Sequence, residues 1–259
     1  MLGIASCSRG VPIDTEPASA VDAIVIVRDQ DWPTVEGNVG GGLSISHAFD
    51  ERGAYVGGWA YAAFAPTGPR TFIAEQREAC YTREPDGWVP GLLDRGPSVD
   101  LDIGGTTRAL RRDTDFEAGQ TVYTRDYGAT ANIAPGATTR FMATDTKTLV
   151  PQGFGQMPGP DFETFASSGL LKVTWGGSPA DFIALSVSTL GPEIGAVRKH
   201  ILCRFDDDGE ATLQTAAPGA IKVASLHLSR WDTARVDVPD VGIVDVSNVT
   251  SSSTSYQAP

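Results

Sequence analysis

Hydrophobic and polar residues alternate along this chain in short runs that are separated by turn signals. In residues 43–49 (LSISHAF) the larger residues, including His47, alternate with serine or alanine, and residues 99–103 (VDLDI) carry an apolar side chain at every second position. This is the period of a strand with one buried face. Residues 50–53 (DERG) separate the first run from residues 55–65, so these two runs predict a β-hairpin.

The second half of the chain repeats this pattern of short, strand-like runs between turns. Its predicted strands are residues 170–175, 182–188, 200–205, 220–230 and 242–249. Residues 107–118 have mild helical potential, but their apolar residues form no clean stripe. Short runs between turn signals are typical of antiparallel sandwiches. We therefore predict an all-β fold of one or two antiparallel, immunoglobulin-like β-sandwich subdomains with little helix.

Proline and glycine suggest where the chain divides. The stretch PQGFGQMPGP is too rich in both for a helix or a central strand, and we place a boundary at residues 151–168. An N-terminal sandwich-like domain would then cover residues 21–150, and a C-terminal one residues 169–250. Residues 1–20 end in a polar, proline-containing linker. Residues 251–259 (SSSTSYQAP) predict a frayed tail.

Composition and charge narrow the class of protein. The chain has 259 residues, of which 41% are hydrophobic and 20% charged, a globular balance. Its 20 Lys and Arg against 32 Asp and Glu give a formal net charge of −12. Because such a chain repels phosphate backbones, we do not expect nucleic-acid binding. No apolar run reaches the roughly 18 residues that span a bilayer.

The N-terminal residues Ile4-Ala5-Ser6-Cys7 resemble a bacterial lipobox. The resemblance implies a diacylglyceryl group on Cys7, with the linker from Ser8 as its tether. It also implies an outer-membrane address, because Ser8 is not aspartate. Three residues precede Ile4, which is fewer than an export signal needs. Either the chain starts late within its signal, or this is a short disordered N-terminus with a free thiol.

The three cysteines fit the same interpretation. If Cys7 carries lipid, Cys80 and Cys203 remain as a pair. An exported compartment is oxidising enough to join them, so they are a candidate disulfide. Two separate buried thiols are the alternative, because the geometry decides.

Two further stretches resemble a known group of proteins. Residues 171–175 (LKVTW) follow the proline-rich boundary, and residues 201–209 (ILCRFDDDG) join a cysteine strand to an aspartate-rich turn. The first half has a similar layout around Cys80 and residues 93–97 (LDRGP). In these features the chain resembles uncharacterised predicted lipoproteins of the myxobacterial type. The resemblance implies an exported, β-rich protein and carries no activity with it.

No residue set in the sequence indicates catalysis or metal binding. Ser46, His47 and Asp50 cannot form a triad, because neighbours on a strand point to opposite faces. His47, His200 and His227 lie on separate predicted strands, so we expect ordinary strand histidines rather than a metal site.

Two loops invite ligand proposals that their spacing does not support. Residues 206–210 (DDDGE) offer carboxylates for calcium, but they lack the spacing of a calcium loop, and we expect a turn. Residues 37–42 (GNVGGG) lack the Lys-Ser/Thr pair of a phosphate loop, and we expect a flexible loop.

Aromatic residues give the best indication of binding. Tyr55, Trp59 and Tyr61 share one face of a predicted strand and could stack on a sugar ring or pack in the core. We expect a non-enzymatic envelope lipoprotein with no cofactor, held at the outer membrane by lipid on Cys7, in the periplasm or at the cell surface. Its protein or glycan ligand is unknown. The alternatives are a carbohydrate- or protein-recognition module and a secreted hydrolase assembled from distant residues.

Overall fold

The computed structural model describes residues 24–83, 89, 91–113, 120–128, 137–146, 153–154, 160–176, 180–191 and 199–257. Within these ranges one sheet of fifteen strands is accompanied by a single short helix. Most strand pairs are antiparallel, and the predicted all-β fold is confirmed. Cys7 and the predicted linker lie outside the described residues, so their roles stay predictions.

The elements follow one another along the chain as a long series of strands. They are β1 (Ile24–Asp31), β2 (Thr34–Phe49), β3 (Tyr55–Ile73), β4 (Ala79–Arg83), β5 (Ser98–Ile103), β6 (Thr106–Asp113), β7 (Val122–Asp126), β8 (Thr139–Phe141), β9 (Thr144–Asp145), α1 (Phe162–Ser168), β10 (Leu170–Thr174), β11 (Phe182–Leu190), β12 (Lys199–Phe205), β13 (Glu210–Gln214), β14 (Val223–Val238) and β15 (Gly242–Gln257). Their order across the sheet is β10-β13-β1-β4-β12-β11-β14-β15-β2-β3-β7-β6-β5-β8-β9.

The longest of these strands, β14, β15, β2 and β3, lie side by side in the sheet. β14 pairs with β15 over its whole length, and β15 pairs with β2 in a parallel register. Successive side chains on a strand point to opposite faces. Every long strand therefore contributes to both faces of the sheet.

One end of the sheet folds back over its own face to enclose the first hydrophobic core. This core joins buried residues of β10 and β13 to buried residues of β11, β12 and β14, which are distant in the strand order. Strand β1 makes the corner, because residues 24–26 pair with β13 and residues 27–31 pair with β4. The short helix α1 adds Phe162 and Phe165 to the same core.

The opposite end of the sheet folds in the same manner. Buried residues of β5, β6, β7 and β8 share a second core with residues of β2, β3 and β15. Leu43 and Ile45 of β2 belong to this core, as do Val244 and Val246 of β15. The molecule therefore has two layered ends that share one central set of strands.

A disulfide lies in the first core. Cys80 on β4 stands directly opposite Cys203 on β12, and both residues are fully buried. Their Cα atoms are 4.1 Å apart, and 123 residues separate them in sequence. The predicted pairing of Cys80 with Cys203 is therefore correct.

Strand pairing crosses the boundary predicted at residues 151–168. β1 and β4 come from the N-terminal half, yet they pair with β13 and β12 of the C-terminal half. Most of the proline-rich stretch lies outside the described residues. Helix α1 begins within the predicted boundary, where the Asp161 carboxylate accepts a hydrogen bond from the Thr164 backbone N–H (2.9 Å).

Several local predictions were wrong for identifiable reasons. The glycine-rich residues 37–42 are part of β2, not a loop. Of residues 107–118, which have mild helical potential, residues 107–113 belong to β6, and the others lie outside the described residues. The predicted tail is β15 up to Gln257, because its serines pair in register with β14. The hairpin of β2 and β3 around residues 50–53 is confirmed, but β3 extends to Ile73, beyond the predicted run of residues 55–65.

Gly40 explains why a glycine-rich segment can stay in a strand. A Cβ atom at this position would lie 2.2 Å from the Val241 carbonyl oxygen. Only glycine permits this close approach of two backbones. The register of β2 against β3 also shifts between Val39 and Gly41, so the glycines accommodate a bulge rather than a flexible loop.

We predict that removing the disulfide strongly destabilises the fold. Closing a loop of this length stabilises a protein by about 5 kcal/mol on the chain-entropy model. Urea unfolding of the double variant Cys80→Ala/Cys203→Ala should show a loss approaching that size, and reduction of the wild-type protein should show the same loss. Cys7→Ala is the matched control. An unfolding midpoint that is insensitive to both treatments would contradict the prediction.

Candidate functional site

A groove of about 700 Å³ runs over the face of the sheet that is opposite the two cores. Strand alternation assigns most of its lining side chains to this face, although the core residues Leu43 and Val246 also border it. On β11, Ile183 and Leu185 enter the first core, whereas Phe182 and Ala184 line the groove. The alternation of side chains along each strand therefore forms the groove on one face and the cores on the other.

An aromatic pair forms the centre of the groove. Phe182 on β11 stands directly opposite Trp231 on β14, and their rings stack with centroids 5.7 Å apart and an interplanar angle of 9°. The Trp231 indole N–H donates to the Ser229 hydroxyl (2.7 Å), which donates in turn to the Ala184 carbonyl (3.3 Å). These bonds fix the indole orientation. Trp231 remains half-buried, whereas Phe182 is buried.

Two arginines extend this aromatic centre. The guanidinium carbons of Arg77 and Arg204 lie 4.5 Å and 4.8 Å from the Phe182 ring centroid. Arg204 also lies 5.4 Å from the ring centroid of Trp32, a buried residue. All three distances fall within the range of cation–π attraction. The guanidinium groups therefore pack on rings, and both arginines line the groove.

The β2–β3 hairpin supplies the opposite wall. Phe72 and Ile73, at the end of β3, line the groove together with the residues of the central strands. Arg235 on β14 lies 5.3 Å from the Phe72 ring centroid and forms an ion pair with Asp245 at 2.7 Å. The contact between Arg235 and Phe72 joins the end of the hairpin to β14. The ion pair places a donor and an acceptor side by side.

Tyr55, Trp59 and Tyr61, which were predicted to share one strand face, lie in different environments. Tyr61 lines the groove but is only 7% exposed, whereas Trp59 is 46% exposed and lies just beyond the lining residues. Tyr55 is partly buried. Phe182, Trp231 and the three arginines were not predicted from the sequence. The alternation of residues 229–235 (SRWDTAR) was the available signal, since it places Ser229, Trp231, Thr233 and Arg235 on one face.

His47 is not a catalytic base in this arrangement. It is 1% exposed and points into the core side of β2, while Ser46 pairs with Trp59 on the other face. The Asp50 carboxylate accepts the backbone N–H groups of Arg52 and Ala54 (2.9 Å and 2.8 Å) and so closes the β2–β3 turn. The structure does not bring Ser46, His47 and Asp50 together as a triad.

His47 belongs instead to a small buried polar cluster. Within the described ranges, neither ring nitrogen of His47 has a hydrogen-bond partner, and the Tyr55 hydroxyl has none either. A Cβ atom at Gly58 would lie 2.8 Å from the Tyr55 hydroxyl and 3.2 Å from His47 Nδ1. Gly58 therefore leaves room for both groups, and burial lowers the pKa of His47 to about 4.

The other two histidines lie apart from the groove. His200 Nδ1 and the Ser188 hydroxyl are 3.0 Å apart on neighbouring strands. His227 borders a smaller cavity of about 520 Å³ at the β2–β3 turn. In the part of the chain that the structure describes, no histidine is hydrogen-bonded to a carboxylate, and no group of three metal-ligating side chains converges.

The aspartate-rich turn of residues 206–209 has a structural role. Asp207 pairs with Arg230 at 2.8 Å, and both side chains are almost completely buried. Asp207 also accepts hydrogen bonds from the Trp175 indole N–H (2.8 Å) and the Ala180 backbone N–H (2.9 Å). A buried ion pair is tolerated only when its remaining polar atoms are satisfied. The turn thereby ties β13 and β14 to the segment after β10.

Comparison with protein-family models and with curated proteins gave no match to this chain. None of the helical residues that the structure describes forms a segment long and apolar enough to cross a bilayer.

We predict that His47 makes the fold less stable in mild acid. Its pKa is about 4 in the folded protein and about 6.5 when exposed. The unfolded chain therefore binds the proton more readily, and stability is complete above pH 6.5 and falls as the pH drops towards 4. The expected loss is about 3 kcal/mol.

Urea unfolding at pH 7 and pH 4 measures this loss. His47→Gln, which cannot titrate, should lose about 3 kcal/mol less than the wild-type protein between these pH values. The same substitution at His200 controls for the removal of a histidine. Equal pH dependence in the wild-type protein and His47→Gln would refute the assignment.

Proposed function

We propose that this protein is a non-enzymatic recognition protein of the cell envelope, and that its groove binds a carbohydrate. The observation that carries the proposal is the stacked pair of Phe182 and Trp231, bordered by arginines. A sugar ring has an apolar C–H face and hydroxyl groups around its edge. Such a ligand needs a flat aromatic surface together with fixed polar groups, which is the usual composition of a small-ligand site.

The polar groups of the groove suit hydroxyl recognition. Arg235 and Asp245 present donors and an acceptor at 2.7 Å from one another. Ser44, Thr233 and Ser247 add short hydroxyl side chains to the same lining. Because these groups come from adjacent, fully paired strands, they are held in position before a ligand arrives, and little ordering entropy is lost on binding.

Other classes of ligand fit the groove less well. A peptide that binds by strand addition requires an unpaired strand edge, yet β11, β14, β15 and β2 are each paired on both sides. A nucleic acid is opposed by the formal net charge of −12. A purely apolar ligand would leave the Arg235–Asp245 pair and the hydroxyl groups without complementary partners.

The described residues favour binding over hydrolysis by a triad-type site. A secreted hydrolase of the triad type, assembled from distant residues, would require a histidine beside a carboxylate in a concave pocket. The groove contains Glu75 and Asp245 but no histidine among its described lining residues. His47, the most buried histidine, is on the opposite face of β2.

Attachment to the outer membrane through lipid on Cys7 is the second part of the proposal. It is supported by the lipobox-like residues 4–7 and by the disulfide, which fits an oxidising, exported compartment. We expect mass spectrometry of the protein, expressed from its full native gene, to find acyl chains on Cys7, and Cys7→Ser to release it from membranes. An unacylated Cys7 in that sample would refute the anchor.

We predict that Trp231 is required for carbohydrate binding. On an array of oligosaccharides that includes each sugar repeat at several lengths, the wild-type protein should bind one class. Trp231→Ala should weaken that binding by roughly tenfold or more, because a central aromatic anchor is lost. Trp231→Phe, which keeps a ring over Phe182, should retain more of the affinity.

Folding of these variants is checked by near-ultraviolet circular dichroism and by urea unfolding. A folded Trp231→Ala variant that binds the array like the wild-type protein would overturn the proposed site. A wild-type protein that binds no oligosaccharide on the array would overturn the proposed function.

A further inference from the structure

The groove runs across the strands rather than along them. Four of its lining residues, Thr233, Ser247, Ser44 and Tyr61, come one from each of the strands β14, β15, β2 and β3. Each is directly opposite the next in the strand register. Residues directly opposite on neighbouring strands share a face of the sheet. These four residues therefore form one continuous row perpendicular to the strands.

A second row lies beside the first and is displaced from it by two residues along each strand. It begins with Phe182 on β11 and Trp231 on β14, continues through Val249 and Ser46, and ends at Trp59 on β3. Aromatic residues thus occupy both ends of this row, and the buried residues Val249 and Ser46 occupy its middle. Trp231 and Trp59 are three strand spacings apart, which is about 14 Å.

Trp59 has the exposure of a contact residue rather than a core residue. It is 46% exposed, although it sits on an interior strand that is paired with β2 and β7. Its neighbour on the same strand face, Tyr61, lines the groove. The exposed indole therefore stands at the end of the groove where the row of hydroxyl groups stops.

We infer that the ligand is an elongated oligosaccharide that crosses the four central strands, with Trp231 and Trp59 as separate aromatic subsites. This inference rests on the proposed carbohydrate-binding function and specifies the length and path of the ligand. A short oligosaccharide occupies only the site at Phe182 and Trp231. One that extends beyond about 14 Å reaches Trp59 as well, and Ser44 and Ser247 of the first row face its middle.

The two subsites make different predictions for oligosaccharides of different length. For the sugar class selected by the array, wild-type affinity should rise with length until the oligosaccharide spans about 14 Å. Trp59→Ala should remove that rise, with a roughly tenfold loss for the long members and no change for the short ones. Trp231→Ala should weaken binding at every length.

Val56→Ala is the matched control, because Val56 is an exposed apolar residue on the same strand and lies outside the row. It should bind both lengths like the wild-type protein. If Trp59→Ala weakens the binding of short and long oligosaccharides equally, or weakens neither, the inference is wrong. If Trp231→Ala still loses affinity in that case, the proposed function stands. If the wild-type protein binds no oligosaccharide at any length, both are wrong.

Discussion

Side chains on a strand alternate between two faces, and this protein uses each face of its central strands for a different purpose. On one face, the folded-back ends of the sheet enclose two hydrophobic cores. On the other, the same strands carry the groove. A shift of one residue in register would exchange these faces, placing Trp231 in the core and Arg230 in the groove. The register between β14 and β15 is therefore the constraint on which both cores and the groove depend.

Long-range bonds hold that arrangement in place at one end of the sheet. The disulfide joins β4 to β12, and the buried pair of Asp207 and Arg230 ties the β12–β13 turn to β14. Arg230 and Trp231 are consecutive, so they point to opposite faces of β14. The ion pair on the core side thus fixes the backbone that presents the indole to the groove.

Much of the fold could be predicted because it depends on local alternation. Residues 43–49 and 99–103 showed the period of two that the structure contains. The glycine-rich residues 37–42 did not reveal a strand, because the close approach of Gly40 to Val241 depends on a contact across 201 positions. The serine-rich end of β15 looked like a tail, since its strand character comes from pairing with β14 rather than from its own side chains.

The groove was only partly predictable for the same reason. Trp59 and Tyr61 were identified because they share one strand. Phe182 and Trp231 are far apart in sequence, so no local pattern predicts their pairing. Arg204 contacts Phe182 from β12, and Arg77 contacts it from the segment between β3 and β4. A single sequence shows which residues lie on a strand face but not which strands are neighbours.

Fluorine NMR of protein labelled with 5-fluorotryptophan tests the central claim most directly. Resonances are assigned by replacing one tryptophan at a time with phenylalanine, and the protein is titrated with the longest oligosaccharide that it binds. We expect the Trp231 and Trp59 resonances to shift, while Trp175, whose indole N–H donates to Asp207 at 2.8 Å, stays unchanged. Binding that leaves Trp231 and Trp59 unshifted would contradict the assignment of this face as the recognition surface.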